Sequence, residues 1–331
     1  MEDKKMSGLN SKSLDKSGRG NVKNILIKYN TLIVLLIIFI FFAFASDSFL
    51  KPTNLMNVLR QISINGIIAT GMTLVILTGG IELSVGAVVA LSSVVAALIA
   101  NEANTAWWVS IIVAIAIATG LGCITGFFIS VFNLAPFIMT LAMMTIARGL
   151  AFTFSDGKPV SGVHKAFLVI GKGDLLGIPI PVWILAAVVI STIVLLKYVP
   201  FGRYIYAVGG NEQAARASGI NIRFVKFFAY VLAGFFTGVA SVVLTSRLSA
   251  GLPQVAQGYE MDAIAAVVIG GTSLMGGSGS MLGTLTGVLI IGFINNGMDL
   301  LNVASYPQQI IKGIIIILAV LIDSMKNKQE Q

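Results

Sequence analysis

Long apolar stretches constrain the fold of this chain more than any other feature. Ten of them are candidates for helices that cross a membrane: 31–46, 61–79, 84–100, 106–132, 136–154, 180–197, 224–246, 261–275, 281–302 and 306–323. About 20 apolar residues in a helix cross the roughly 30 Å hydrocarbon core of a bilayer. Hydrophobic residues make up 56% of the chain and charged residues 11%, which excludes an ordinary soluble domain. We therefore predict an all-α polytopic membrane protein with about ten transmembrane helices.

A polar segment at 155–179 divides the predicted spans into two halves of five helices. An odd number of spans per half gives the halves opposite orientations, an arrangement found in many transporters. The pattern Gly-Gly-x-x-Leu-x-x-Gly occurs at 79–86 and again at 270–277, but the copies lie six spans apart and do not mark corresponding places in the halves. The pattern therefore indicates broken helices rather than a duplication.

The distribution of basic residues predicts the orientation of the chain. Seven of the 22 Lys and Arg residues lie in the first 30 positions, and the segment 197–226 is also basic. Positively charged segments beside membrane spans tend to stay in the cytoplasm. Both termini are therefore expected inside, and the net charge of +8 indicates no nucleic-acid partner. The predicted regions are a basic cytoplasmic tail at 1–30, a transmembrane domain at 31–323 and a cytoplasmic tail at 324–331.

The first apolar stretch has a second interpretation. Ala43-Phe44-Ala45 resembles a signal-peptidase site after an apolar run, so a cleaved signal peptide is the alternative to a first span. The polar leader before it is long for a signal peptide, and the apolar run extends to Leu50 beyond one short break. We therefore expect this stretch to be retained as the first span.

A polar segment between two predicted spans, Phe201 to Ile220, has the pattern of a short capped helix. Asn211 is a good N-cap, and Glu212 lies in the first turn, where the helix dipole favours an acid. Arg216 follows Glu212 at the spacing of an ion pair along a helix, and Gly219 can end the helix in the left-handed conformation. The sequence therefore predicts about two turns of self-standing helix presented to the cytoplasm.

Two glycine pairs, Gly79–Gly80 and Gly270–Gly271, are candidates for breaks in membrane helices. An interrupted helix exposes backbone groups that hydrocarbon cannot satisfy, so such breaks face protein or a watery cavity. One interpretation makes them part of a translocation path or gate; the other makes them tight connections between spans at the cytoplasmic face. The buried amides of the ninth predicted span are similarly either packing groups between helices or path-lining groups. The candidate path residues are Gly79, Gly80, Glu82, Ser84, Gly270, Gly271, Thr272, Ser273, Asn295 and Asn296.

The sequence contains no pattern for catalysis within this chain. Its single cysteine, Cys123, and single histidine, His164, leave no convincing nucleophile–base pair, and no metal-ligand spacing or phosphate-binding glycine loop is present. We therefore expect no enzyme activity and no cofactor in this chain. Small-xxx-small pairs at Gly122/Gly126, Gly234/Gly238 and Gly283/Gly287 predict close helix packing, within one subunit or across a dimer.

Three stretches together resemble the sugar-importer class of ABC transporter permeases, and the ribose-type members most. They are 79–86, 259–274 and the polar segment at 202–219, and the similarity extends over about 31–323. One departure is Glu82, where many relatives have Asp. The resemblance implies that the segment 203–219, here called the coupling segment, contacts an ATPase. The ATPase-coupling residues that it implies are Gly202, Arg203, Gly209, Gly210, Asn211, Glu212, Ala215, Arg216 and Gly219.

The resemblance also implies a function and a set of partners. The chain would be the permease subunit of an ATP-driven importer for a monosaccharide, with ribose expected, in the bacterial cytoplasmic membrane. Its implied partners are an ABC ATPase that binds ATP and Mg²⁺, an extracytoplasmic sugar-binding protein and a second permease subunit in a homodimer. The alternatives are an ABC permease for another pentose, a hexose or a sugar-like signal molecule, and an ion-coupled secondary sugar transporter.

Overall fold

In the computed structural model, which describes residues 30–101 and 106–327, the chain is helical almost throughout. The predicted tails lie outside these ranges, apart from residue 30 and residues 324–327. Thirteen helices lie within the two ranges: α1 (Asn30–Ala45), α2 (Pro52–Leu77), α3 (Val85–Asn101), α4 (Trp107–Val131), α5 (Pro136–Ser155), α6 (Lys165–Lys172), α7 (Ile180–Tyr198), α8 (Pro200–Gly210), α9 (Glu212–Ala217), α10 (Ile222–Leu248), α11 (Tyr259–Ile269), α12 (Met281–Leu300) and α13 (Ser305–Asn327).

Six of the described helices are long and apolar enough to cross a membrane: α2, α4, α5, α7, α10 and α12. Shorter apolar helices occupy 31–45, 85–101 and 305–321, which are the apolar parts of α1, α3 and α13. The prediction of an all-α polytopic membrane protein is therefore confirmed, but the count of ten spans is not. One predicted boundary was also wrong, because α2 begins at Pro52 rather than near 61. Proline at the first helical position suits a helix start.

The predicted span at 261–275 is not a single helix. α11 ends at Ile269 after 11 residues, which gives a rise of about 16 Å and cannot cross the roughly 30 Å core. The helix stops because Gly271 has a positive φ of 88°, which glycine adopts without steric cost. Beyond this break, Gly283 and Gly287 of α12 pack against the α11 backbone with no room for a side chain.

The polar segment at 155–179 has more structure than its composition predicts. It contains α6 and the two-residue strands β1 (Val160–Ser161), β2 (Asp174–Leu175) and β3 (Ile178–Pro179). β2 pairs with β3, and β1 pairs in antiparallel register with β4 (Ala250–Gly251) after α10. Contacts with α10 explain why this segment is structured: Phe167 of α6 is fully buried, and Ser246 of α10 donates a hydrogen bond to the Phe167 carbonyl oxygen.

The centre of the bundle is formed by α2 and α10. Every residue of α2 from Ile62 to its end is buried, so this helix lies inside protein rather than against lipid. α10 crosses α4 closely: a Cβ placed on Gly122 would lie 2.7 Å from the Tyr230 carbonyl oxygen and 3.0 Å from Gly234 Cα. The small-xxx-small pairs therefore pack within one subunit, and the close approach requires glycine.

Candidate coupling and translocation sites

The coupling segment forms two helices joined at Asn211. The backbone of Asn211 is extended (φ −157°, ψ 104°), which separates α8 from α9. The Asn211 Oδ1 atom accepts a hydrogen bond of 2.9 Å from the Ala214 N–H. Gly219 has a φ of 82° just past the end of α9. The predicted cap and the predicted left-handed end are therefore confirmed. α8 was not predicted, although its buried residues Gly202, Ile205 and Val208 recur at helical spacing after Pro200.

Glu212 has two basic partners, and the shorter contact is one that the sequence did not predict. Its Oε2 accepts a hydrogen bond of 2.6 Å from Lys226 Nζ in α10, whereas Arg216 lies 3.4 Å from Oε1. The hydrogen bond from Lys226 lowers the pKa of Glu212, against an opposing desolvation effect, and the positive charges of both partners add to the lowering. With Ala215 also buried, α9 is anchored to α10, and the prediction of a self-standing helix was wrong.

The outer face of the coupling segment is polar and accessible. The side chain of Arg216 is 73% exposed, and with Gln213 and Ala217 it borders a shallow surface concavity. Arg203 is also exposed, one turn into α8. A second groove lies between α9 and the start of α10, where Arg223 and Lys226 meet the α4–α5 connection. This face can therefore receive a polar partner surface from outside the bundle.

The first glycine break contacts the loop that follows the second break, and both contact the end of α8. The Gly277 N–H donates a hydrogen bond of 3.0 Å to the Leu77 carbonyl oxygen at the end of α2. A Cβ placed on Gly276 would lie 2.7 Å from the Gly79 nitrogen and 3.0 Å from Gly209 Cα. The structure thus brings part of the predicted coupling set, Gly209 and Gly210, together with part of the predicted path set.

Glu82 and Ser84 lie in the turn before α3 and are buried. The Glu82 Oε1 atom accepts hydrogen bonds from the Ser84 N–H at 2.7 Å and from the Ser84 hydroxyl at 2.6 Å, which fix the turn just before α3. The Tyr230 hydroxyl donates to the Ile81 carbonyl oxygen at 3.1 Å, which fixes the same turn to α10. A small cavity beside them is bordered by Gly122 and Thr237.

The remaining predicted path residues lie in separate polar groups. Thr272 packs against Gly279 in the loop after α11, and the Ser273 N–H donates to the Ser278 carbonyl oxygen at 3.0 Å. Gly270 lies against α12 and Gly271 turns the chain, as described above. The predicted path residues therefore lie at several separate places among the described residues.

The amides of α12 join helices to one another. Asn295 donates to Asp262 Oδ2 at 3.1 Å, and the same oxygen accepts from Lys312 of α13 at 3.0 Å. Asn296 and Asn54 exchange two hydrogen bonds of 2.9 and 3.0 Å between α12 and α2. The packing interpretation of these amides is supported, and their place in a path stays a prediction.

An arginine within α5 supports the connection between α10 and α11. The Arg148 Nη1 atom donates to the Pro253 and Val255 carbonyl oxygens at 2.7 and 2.9 Å. These carbonyls belong to a non-helical segment, 249–258, that packs on α3: a Cβ on Gly251 would lie 2.6 Å from the Ser93 carbonyl oxygen. The two carbonyl partners of Arg148 are more than 100 residues away in the sequence, so no local pattern indicates them.

A family model described as "Branched-chain amino acid transport system / permease component" matches residues 54–320. The chain belongs to this permease family. Within the described ranges, the permease has no cluster of three His, Cys, Asp or Glu residues that could hold a metal ion. Membership of this family makes the chain a translocation component rather than an enzyme, as the resemblance implied.

Curated relatives match the permease along most of its length. It is 48% identical over 296 residues to the ribose import permease protein of Bacillus subtilis. The aligned region covers 88% of this chain and 91% of that protein. It is 45% identical to the ribose import permease protein of Haemophilus influenzae, with 90% and 94% covered. Identity to the L-arabinose transport system permease protein of Escherichia coli K12 is 34%, with 92% of both chains covered. No solved structure matches the chain.

Proposed function

We propose that this chain is the membrane-spanning subunit of an ATP-driven importer that carries ribose into the cytoplasm. The observation that carries the proposal is the graded similarity to named relatives. Identity is 45–48% to ribose import permeases and 34–37% to L-arabinose permeases, each over about nine-tenths of both chains. The family description names another cargo, but the ribose permeases are the nearer relatives among those compared.

The proposed assembly has two copies of this chain, two ATPase subunits and one extracytoplasmic sugar-binding protein. The ATPase subunits bind ATP and Mg²⁺ and contact the exposed face of the coupling segment around Arg216. In this proposal both termini of the chain also lie in the cytoplasm. The binding protein contacts the opposite face, where the polar segment at 155–179 lies. Sugar specificity then rests mainly on the binding protein, so this chain needs no tight sugar site.

The residues of the coupling segment support a mechanical role. The Asn211 cap and the hydrogen bond from Lys226 to Glu212 hold α9 in a fixed place on α10. A helix held in this way moves as a body when a partner pushes on it, instead of unfolding. The buried polar residues of the bundle are mostly Ser, Thr and Asn rather than charged residues, which suits a solute with several hydroxyl groups better than an ion.

Uptake of labelled ribose into proteoliposomes tests the proposal. The vesicles contain this chain with its ATPase, the binding protein is added to the side of uptake, and ATP is supplied to the ATPase side. Ionophores collapse ion gradients in a parallel sample, and labelled L-arabinose replaces ribose in a third. We expect ribose uptake that requires ATP and survives the ionophores.

The other outcomes separate the competing functions. Uptake that follows an ion gradient and ignores ATP would contradict the proposal and favour a secondary transporter. ATP-driven uptake of L-arabinose without ribose would retain the mechanism and correct the substrate. A matched control uses an ATPase that cannot hydrolyse ATP, because passive leakage would be unaffected by it.

A further inference from the structure

Three chain segments that are distant in sequence meet at one backbone contact beside the coupling segment. They are the end of α2 at Leu77–Gly79, the end of α8 at Gly209–Gly210 and the loop between α11 and α12 at Gly276–Gly277. We call this contact the glycine junction. One of its hydrogen bonds, from the Gly277 N–H to the Leu77 carbonyl oxygen, joins α2 directly to the loop.

The glycine junction leaves no room for side chains at Gly209, Gly276 and Gly277. A Cβ placed on Gly209 would overlap the Leu77 carbonyl oxygen and lie 2.5 Å from the Gly277 nitrogen. A Cβ on Gly277 would lie 2.5 Å from Gly210 Cα. Real Cβ atoms do not approach other atoms this closely, so any side chain here would separate the three backbones.

α8 is well placed to transmit displacement into this contact. Its Ile205 and Val208 side chains are buried in the main hydrophobic core, and its Tyr206 hydroxyl donates to the Gly279 carbonyl oxygen at 3.0 Å. α8 is followed at once by Asn211 and α9, so one residue separates the junction from the capped helix. Close-packed interiors have low compressibility and transmit displacement instead of absorbing it.

We propose that the glycine junction couples the ATPase to the membrane spans, with Gly209 and Gly277 as positioning residues. This inference rests on the proposed function, in which the ATPase acts on α9. Displacement of α9 moves the end of α8. The glycine backbone at this end then pushes directly on two elements at once. One is the central helix α2, and the other is the interrupted region that connects α11 to α12. ATP hydrolysis takes place on the ATPase subunit, so the junction determines how many sugar molecules are transported for each ATP hydrolysed.

The substitution Gly209→Ala tests the proposal against a control outside the junction. A Cβ on Gly209 enters the junction, whereas a Cβ on Gly120 of α4 meets no atom within 4 Å, so Gly120→Ala adds the same methyl group to a helix without obstruction. We measure ATP hydrolysed per ribose transported in the reconstituted complex. Gly209→Ala should raise this ratio about tenfold. Gly120→Ala should stay within about twofold of wild type.

A second variant covers the case in which Gly209→Ala fails to assemble. Tyr206→Phe keeps the ring and removes only the hydrogen bond to Gly279, and it should raise the same ratio while leaving co-purification with the ATPase unchanged. A merely structural role would lower hydrolysis and transport together and leave the ratio constant. The proposal is overturned if the ratio stays at the wild-type value in Tyr206→Phe and in any assembled Gly209→Ala complex. Wild-type complexes without ATP-driven uptake would instead contradict the proposed function itself.

Discussion

Glu212 is held both by contacts within its own helix and by a contact with another helix. Its position in the first turn of α9, its N-cap neighbour Asn211 and the Arg216 spacing are all local, and the sequence predicts them. Lys226 is 14 positions away and lies in a different helix, α10, so no local pattern indicates it. Yet its contact is shorter than that of Arg216 and its side chain is only 20% exposed. The tertiary partner is therefore the stronger anchor.

Reversal of the two charges tests this anchor. Lys226→Glu should place two acids together and reduce ATP-driven uptake, and the double variant Glu212→Lys/Lys226→Glu should restore much of it. The pair is partly exposed, so its coupling free energy should be about 0.5–1 kcal/mol in a double-mutant cycle of thermal unfolding. Arg216→Glu provides the matched comparison and should change stability less. A cycle with no coupling between Glu212 and Lys226 would contradict the anchor.

The same pair has a defined pH dependence. The folded-state pKa of Glu212 is lowered, so its contribution to stability is fully present above the unfolded pKa of about 4.3. The contribution is lost as pH falls through the lower folded-state pKa. The destabilisation caused by Lys226→Met should therefore be constant between about pH 5 and 7 and shrink only in stronger acid. A loss of the difference near neutral pH would show that another group is responsible.

At the scale of elements, the interrupted region around α11 differs most from the sequence prediction. The glycine pair at 270–271 predicted a break, and the helix ends there, but the predicted span 261–275 continued through it. Apolar residues continue across 261–275, and composition does not show where a helix ends inside a membrane. The segment before α11, 249–258, is held by a hydrogen bond from Arg148 of α5 to the Pro253 carbonyl oxygen. Only the folded chain brings these residues together.

Substitution of Arg148 tests how the segment at 249–258 is held in place. Arg148→Met keeps the length of the side chain and leaves the Pro253 and Val255 carbonyls without their donor. Loss of partners for buried carbonyls should lower the free energy of unfolding by about 1–3 kcal/mol. The measurement is thermal unfolding in detergent, with Arg203→Met on the exposed face of α8 as control. Equal stability of the two variants would mean that water replaces the guanidinium.

At the scale of the whole molecule, the class of fold was predictable and the arrangement was not. Long apolar runs can only be satisfied as helices in a membrane, because every backbone group must find a partner within the segment. Local glycine and cap patterns located both breaks and α9. Which helix lies in the centre does not follow from hydropathy, since α2 is less hydropathic than α4 and yet is the more buried. The meeting of the breaks with the coupling segment likewise needed the fold.

The central claim is that the ATPase contacts this chain at the coupling segment, and site-directed cross-linking tests it most directly. A photoreactive benzophenone is attached to Gln213→Cys on the exposed face of α9, in a Cys123→Ala background, within the assembled complex. Leu176→Cys, which is 85% exposed in the polar segment at 155–179, is the matched control. We expect the ATPase to be cross-linked from position 213 and not from position 176. Cross-linking from position 176 alone would contradict both the coupling assignment and the proposed orientation.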